Sequence, residues 1–342
     1  MFNRVLKVAG LIVLGSLTLT ACDPPMPPEV LAALAEQSYT CVSGDTQLSA
    51  PAVISAVAGD WEASVTANCA GMTITPAATA SDKVELQIGD PADKTCLAYA
   101  QVPFALDAPV IAVKLSDITN VNLSADAIEK IWSGAITNWN DPALAALNPS
   151  FQLPSAAITF GTEATGDGLK AFDDWMTRLA GHTVATAGGT ANLAKMAEGA
   201  LVLTSYSTAT AASLPMVAIT AKVGVDGIVP EMGSINSAAT MYKSKVTNGV
   251  VALNFDSTAK PIAPEGVDTA PMPYQAIEVI PLRLCGTDTL KTRAAAKYIL
   301  RQDSQGSLGL STVIALPETL RAIALTAVSK GLPQPSLTPA SN

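Results

Sequence analysis

The stretch from Leu123 to Pro149, LSADAIEKIWSGAITNWNDPALAALNP, reads as a helix, a stop and the start of a second element. Ser124 stands where an N-cap belongs, and Asp126 falls in the first turn, where the helix dipole favours an anion. Ala127, Ile128, Ile131 and Trp132 fall at helical spacing and make one apolar face. Gly134 ends that helix, and Asn140-Asp141-Pro142 opens the next element.

On either side of this stretch, short apolar strands alternate with helical segments, and no internal repeat is visible. Val84–Ile88 alternates as a strand; Ala108–Val113, Leu201–Tyr206 and Ala276–Leu284 are further β-rich runs. Leu169–Leu179, Ala191–Ala197, Thr292–Gln302 and Pro317–Val328 read as helices. Such alternation predicts an α/β fold with mixed, mainly parallel sheets flanked by helices.

The N-terminus predicts where the chain works. Arg4 and Lys7 precede an apolar run from Val8 to Leu19, and Leu19-Thr20-Ala21-Cys22 closes it. This is the pattern of a lipoprotein signal peptide, residues 1–21, with Cys22 as the acylated residue. A plain signal peptide or signal anchor is the alternative, but the run is short for a membrane span. Several acyl chains on Cys22 would anchor stably, where a single chain is marginal. Pro24, Pro25, Pro27 and Pro28 make residues 22–35 a stiff stalk. The expected location is therefore the extracytoplasmic face of a cell membrane, reached through the lipid alone.

With 342 residues, 49% of them apolar, the chain can build one large or two medium domains. Net charge is −9, and removing Arg4 and Lys7 takes it to −11. That acidity argues against nucleic acid and against a polybasic membrane patch, but backbone amides can still hold an anion. Cys41, Cys69, Cys96 and Cys285 remain after the signal; in an exported protein they predict two disulfides, with three possible connectivities. The long spacings and a single histidine, His182, argue against a metal site.

Enzymatic function has little support. His182 sits in a Gly-His-Thr turn without a nucleophile motif, so it reads as an exposed loop residue. Asp173 and Asp174 are neighbours on a helix and point to different faces. No phosphate loop or dinucleotide fingerprint is present, and no cofactor is expected. Trp132, Trp139 and Trp175 read as packing residues.

Gly134, Ile136, Trp139, Asp141, Leu144, Leu147, Asn148 and Pro149 fit the pattern G-x-I-x-x-W-x-D-x-x-I-x-x-L-N-P. In this the chain resembles the phosphate-binding proteins that feed the phosphate ABC importer, which are type 2 periplasmic binding proteins. Pro103-Phe104 to Val113, Gly188-Gly189 with Asn192, Gly199–Tyr206 and Leu316-Pro317-Glu318 extend the resemblance over nearly the whole mature chain. It implies a two-lobe fold, with lobe one formed by residues 36–107 plus 283–336 and lobe two by residues 108–282. All four cysteines then fall in lobe one, and the implied pairs are Cys41–Cys69 and Cys96–Cys285.

In that family an anion sits between the lobes. The turn G-A-G-A-T/S-F-P-A-P falls on Ser43–Pro51, which places Gln47 and Leu48 at its ligand-binding pair. A Ser in a glycine-rich loop falls near Gly71, with Thr73 and Thr75 as candidates. The Asp of D-F-G-A-S-D falls on Asp90; a carboxylate there accepts only from a ligand that carries a proton, although Asp90 also reads as a strand-end cap. The motif R-x-D-G-S-G-T falls on Gly161–Asp167, GTEATGD, so Thr165 and Gly166 match the Ser-Gly pair. The arginine is replaced by Gly161 or Thr162 and the threonine by Asp167, which either faces the cleft or caps its own helix. Losing the arginine removes a charge-assisted contact of about 1.5–3 kcal/mol.

The resemblance implies a solute-binding protein for a small polar ligand, phosphate or a related oxyanion first, with an ABC permease as possible partner. The alternative is a surface interaction lipoprotein that keeps the fold without the site.

Overall fold

The computed structural model describes residues 39–77, 83–89, 96–186, 189–264 and 266–333. The signal peptide, Cys22, the proline-rich stalk, Asp90 and the C-terminal tail lie outside the described residues. Among the described residues, no helix is long and apolar enough to cross a membrane.

The chain begins with β1 (Gly44–Ser49), α1 (Ala52–Asn68), β2 (Met72–Pro76), β3 (Leu86–Ile88), β4 (Ala98–Asp107), β5 (Pro109–Val113) and β6 (Asn122–Ser124). Next come α2 (Ala125–Trp132), α3 (Pro142–Leu147), β7 (Thr159–Thr162), α4 (Gly166–Ala180), β8 (Gly189–Thr190), β9 (Ala200–Ser205) and α5 (Tyr206–Ala211). Then follow β10 (Ala218–Thr220), α6 (Met232–Ala239), β11 (Tyr242–Thr247) and β12 (Val250–Phe255). The chain closes with β13 (Glu278–Cys285), α7 (Leu290–Ile299), α8 (Gln302–Gly306), β14 (Ile314–Ala315) and α9 (Glu318–Val328).

Two sheets organise the two lobes. The large one runs β11-β12-β4-β13-β3-β1-β2, with β14 also on β4; the small one runs β5-β9-β7-β8. β1 is parallel to both β2 and β3, and β7 is parallel to both β8 and β9. Parallel neighbours need a crossover, and α1 and α4 supply it. Ile54, Val57, Ala58, Trp61 and Val65 recur at helical spacing along α1 and are its buried face. Trp61 meets the edge of Phe104, and its indole N–H donates to Ser304 O at 3.1 Å. Pro103 and Pro281 face each other where β4 and β13 shift register, a place that needs no N–H from either.

The Leu123–Pro149 segment forms as its residues dictate. Ser124 accepts from Ala127 N–H at 3.2 Å and caps α2; Asp141 caps α3, accepting from Ala143 N–H at 2.8 Å, with Pro142 in the first turn. Gly134 takes φ +73°, the left-handed stop. Asn148 is buried and closes both directions on Asn122, accepting its N–H at 2.8 Å and donating to its O at 3.0 Å. Trp139 is fully buried and donates to Gly199 O at 3.0 Å. The signature is scaffold.

Both disulfides implied by the resemblance are present, Cys41–Cys69 and Cys96–Cys285. The division of the chain between sheets departs from the sequence expectation in two places. Residues 242–255, assigned above to lobe two, form a hairpin on the edge of the large sheet, where Val250 pairs with Gln101. Glu278 already pairs with Asp107 of β4, so the returning segment enters the large sheet ahead of residue 283. The Ala191–Ala197 helix shrinks to one 3₁₀ turn, Leu193–Lys195. Ala191 N–H pairs with Thr162 O on the sheet edge, which keeps Ala191 with the strand, and Lys195 and Met196 then bond back only three residues, to Asn192 O and Leu193 O.

Candidate functional site

The chain crosses between sheets at Ala108. Asp107 ends β4 in the large sheet, and Pro109 starts β5, which pairs with Ser205 of β9 in the small one. Tyr206 N–H donates to Ala108 O at 2.7 Å and pins α5 to the crossing. Asp107 is buried beside it, accepting from Ala108 N–H at 2.8 Å and from Ser207 through N–H at 3.0 Å and O–H at 2.5 Å. Burial pushes the Asp107 carboxyl above its ordinary range, and the Ser207 bonds oppose this.

A cavity of about 310 Å³ opens at this crossing. Its small-sheet wall is built by strand ends. Where β7 gives way to α4 it receives Glu163, Ala164, Thr165 and Gly168; where β9 gives way to α5 it receives Thr204, Ser205 and Thr208. Pro109 and Glu278 complete it from the two crossing connections. Ligands of open α/β sheets collect at such carboxyl ends of strands.

The polar groups have defined tasks. Ser205 caps α5, accepting from Thr208 N–H at 3.1 Å, and donates to Thr208 Oγ1 at 2.8 Å. Glu163 is held by Leu193 N–H at 2.7 Å and by the Thr204 hydroxyl at 3.3 Å. Thr165 is the N-cap of α4 but makes no capping bond with its side chain, and the first turn of this 15-residue helix lies at the cavity. Glu278 reaches the same turn: its Oε2 lies 2.8 Å from the place a Cβ would take on Gly168. Among the described residues, no Lys, Arg or His lines the cavity. Hydroxyls, helix amides and two carboxylates are what the cavity offers.

Asp107 carries a stability prediction. Its folded-state pKa lies above the ordinary value of 3.8, so between the two the folded chain binds more protons and stability falls as pH rises. In D107N the amide can donate to Ser207 Oγ while its oxygen still accepts from both N–H groups. Urea melts from pH 4 to pH 7 should therefore show a flatter pH slope for D107N than for the parent.

The sequence candidates divide. Thr165 lines the cavity; Gly166 and Asp167 follow it in the exposed first turn of α4. Asp167 is close enough to Tyr242 for its charge to be felt there. Gln47 and Thr73 lie on β1 and β2, and both bind Asp45: Gln47 Nε2 donates at 2.7 Å and the Thr73 hydroxyl at 2.8 Å. Thr75 joins them at 2.6 Å, and these donors with Lys291 hold Asp45 below the usual carboxylate range against its partial burial. The Leu48 side chain is in the core. None of these three lines the cavity. Asp90 lies outside the described residues.

Sequence reasoning missed Glu163, Thr204, Ser205, Thr208 and Glu278. Glu163 had a signal, because it stands at the Asp of R-x-D-G-S-G-T. If the arginine position falls on Gly161, its absence has a structural reason: a Cβ there would fall 2.6 Å from the Ala191 Cβ, so Ala191, just after β8, packs where a side chain would start. His182 is exposed and bonds Glu129 at 2.9 Å, which raises its pKa. Trp175 is buried and Trp132 packs against Phe160 and Phe172.

Comparison with known proteins agrees with this architecture. Among curated proteins, the phosphate-binding protein PstS3 of Mycobacterium bovis is 26% identical over 252 residues, 67% of this chain and 65% of that one. The chain thus spans slightly less than two thirds of the length of such relatives. PstS of Pasteurella multocida is 37% identical over 70 residues, 20% of each chain. Among solved structures, a DING protein has a TM-score of 0.51 at 14% identity, covering 82% of this chain and 94% of that one. A human phosphate binding apolipoprotein gives 0.51 at 13%, with the same coverage. Residues 87–265, just over half of the chain, match the PBP superfamily domain, and the chain belongs to that superfamily.

Proposed function

We propose that this protein is an extracytoplasmic, lipid-anchored solute-binding protein that captures a small polar ligand for an ABC importer or a sensor derived from one. It binds without catalysis, and phosphate is the first candidate ligand. The observation that carries this reading is the hydroxyl-lined cavity at the sheet crossing, onto which the uncapped N-terminus of α4 opens. The names of the PstS relatives support phosphate as the ligand. Signal and stalk, as read from sequence, would place the chain outside the membrane on Cys22. Lobe one (36–107 plus 283–336, with the 242–255 hairpin and the start of β13 on its sheet) and lobe two (the rest of 108–282) would close on the ligand by a hinge at the crossing strands. Thr165, Gly166 and Asp167 are the candidates on lobe two; on lobe one Asp90 remains, because Asp45 engages the donors of Gln47 and Thr73 and the Leu48 side chain is in the core.

A second reading, a surface interaction lipoprotein, has one observation in its favour: Ala191 packs where a side chain at Gly161 would start, so that position has no room for the anion-gripping arginine. Thermal unfolding of the mature chain separates the two. Phosphate at a hundredfold its dissociation constant should add about 2.7 kcal/mol of apparent stability. Sulfate, sugars and amines serve as comparisons. A rise with an amine alone removes the phosphate reading, and no rise with any solute favours the interaction protein.

A further inference from the structure

Thr165, Thr204, Ser205 and Thr208 bring their hydroxyls to the cavity wall, and each hydroxyl has a single proton to give. Thr204 spends its proton on Glu163 Oε2 at 3.3 Å. Ser205 donates to Thr208 Oγ1 at 2.8 Å, while its own oxygen accepts the Thr208 N–H at 3.1 Å. Behind them Ser207 donates to Asp107, so the Ser207 oxygen, 2.9 Å from Ser205, is left as an acceptor.

This accounting leaves two protons over. Among the described residues, the Thr165 hydroxyl has no partner, and Thr208 Oγ1 takes part only as an acceptor. Both residues are exposed at the cavity. Their positions are linked through the small sheet. β7 and β9 are parallel neighbours, with Thr162 paired to Leu203, and Thr165 and Thr208 stand just beyond those paired ends. The proton that Thr208 receives from Ser205 also polarises its own O–H, which makes it a stronger donor.

We propose that Thr208 is a ligand-binding residue of this cleft, giving its O–H to an oxyanion that Thr165 contacts from the neighbouring turn. This deepens the phosphate reading above and rests on it. Hydroxyls hold an anion less strongly than a guanidinium does, so two strand ends share the grip that R-x-D-G-S-G-T places on one. Thr208 belongs to no such motif; only the spending of its neighbours' protons singles it out.

Isothermal titration of the mature chain with inorganic phosphate tests the assignment in the parent, T208V, T208S and T165V. Valine keeps the branched shape and removes the donor. Ser205 can then turn its proton to Ser207 Oγ, so the variant leaves no hydroxyl stranded. T208V should weaken phosphate about tenfold or more, the size expected for a hydrogen bond to a charged acceptor. T208S restores the hydroxyl and should regain most of that loss, and T165V should weaken binding by a similar factor. The ligand-free melting midpoint of T208V should stay within about 2 °C of the parent's, which separates binding from folding. Loss in T165V alone, or an equal loss in T208V and T208S, overturns the role of Thr208 and leaves phosphate capture standing. A parent that binds no phosphate overturns both.

Discussion

A C96S/C285S double variant is expected to lose about 5 kcal/mol of stability, against about 3.5 kcal/mol for C41S/C69S, on the loop-closure relation for cross-links. The difference comes from the spans: Cys96–Cys285 closes 189 residues, Cys41–Cys69 only 28. The first cross-link joins the two sequence-distant segments that meet in the middle of the large sheet. Yet β13 is held between β3 and β4 by backbone pairing from Glu278 to Cys285, so serines at both ends leave the native sheet bonded. The loss therefore falls on the unfolded ensemble, which regains the freedom of a long loop. Urea unfolding of both double variants checks this, and the larger loss corresponds to a fall of about 10 °C in melting midpoint. Equal losses, or the reverse order, would mean that the local packing of each bridge outweighs loop length.

That same bridge marks how far the sequence could be read. Four cysteines without pattern allow three pairings, and a resemblance carried by the Gly134–Pro149 spacing selected the pair of them that forms. Elements with strong local signals appear where their residues require: caps at Ser124 and Asp141, a left-handed glycine at 134, and an apolar α4 face of Phe172, Trp175 and Met176. The hairpin 242–255 was not legible as part of the large sheet. Its register against β4 rests on one backbone pairing at Val250, and strand pairing over such sequence distance leaves no local mark.

The candidate site was legible only where it is continuous in sequence. Thr165 was found because a motif runs through it. Glu278 belongs to no motif and enters the site through a strand register and the missing side chain of Gly168. Gln47 and Thr73 illustrate the opposite problem. Their donor groups suit an anion, but Asp45 lies between them on the same strands and takes both. A sequence shows which groups can donate; only the fold shows which are already taken. Gly161 follows the same rule, since the absence of arginine reads as a lost contact until Ala191 is seen packed against it.

The fold has a second sensitive point at Trp139. Replacing it by alanine should cost about 4–5 kcal/mol, because a fully buried indole leaves a cavity that its surroundings only partly close. Its N–H also donates to Gly199 O, and the buried carbonyl loses that partner in the variant. Gly199 cannot shift freely to compensate. It has φ +82°, and a Cβ there would fall 2.3 Å from Ala157 O, so three chain segments are already in contact around the ring. W139F separates the two contributions: it keeps most of the ring volume and removes the donor, and should cost about 1–2 kcal/mol. Because Gly199 leads directly into β9, whose far end supplies Thr204 and Ser205 to the cavity, W139A should also weaken any ligand-induced rise in melting midpoint. Equilibrium unfolding of the parent, W139F and W139A in urea gives the two differences. If W139F loses as much as W139A, the hydrogen bond to Gly199 outweighs ring packing, and the signature tryptophan is retained for its N–H.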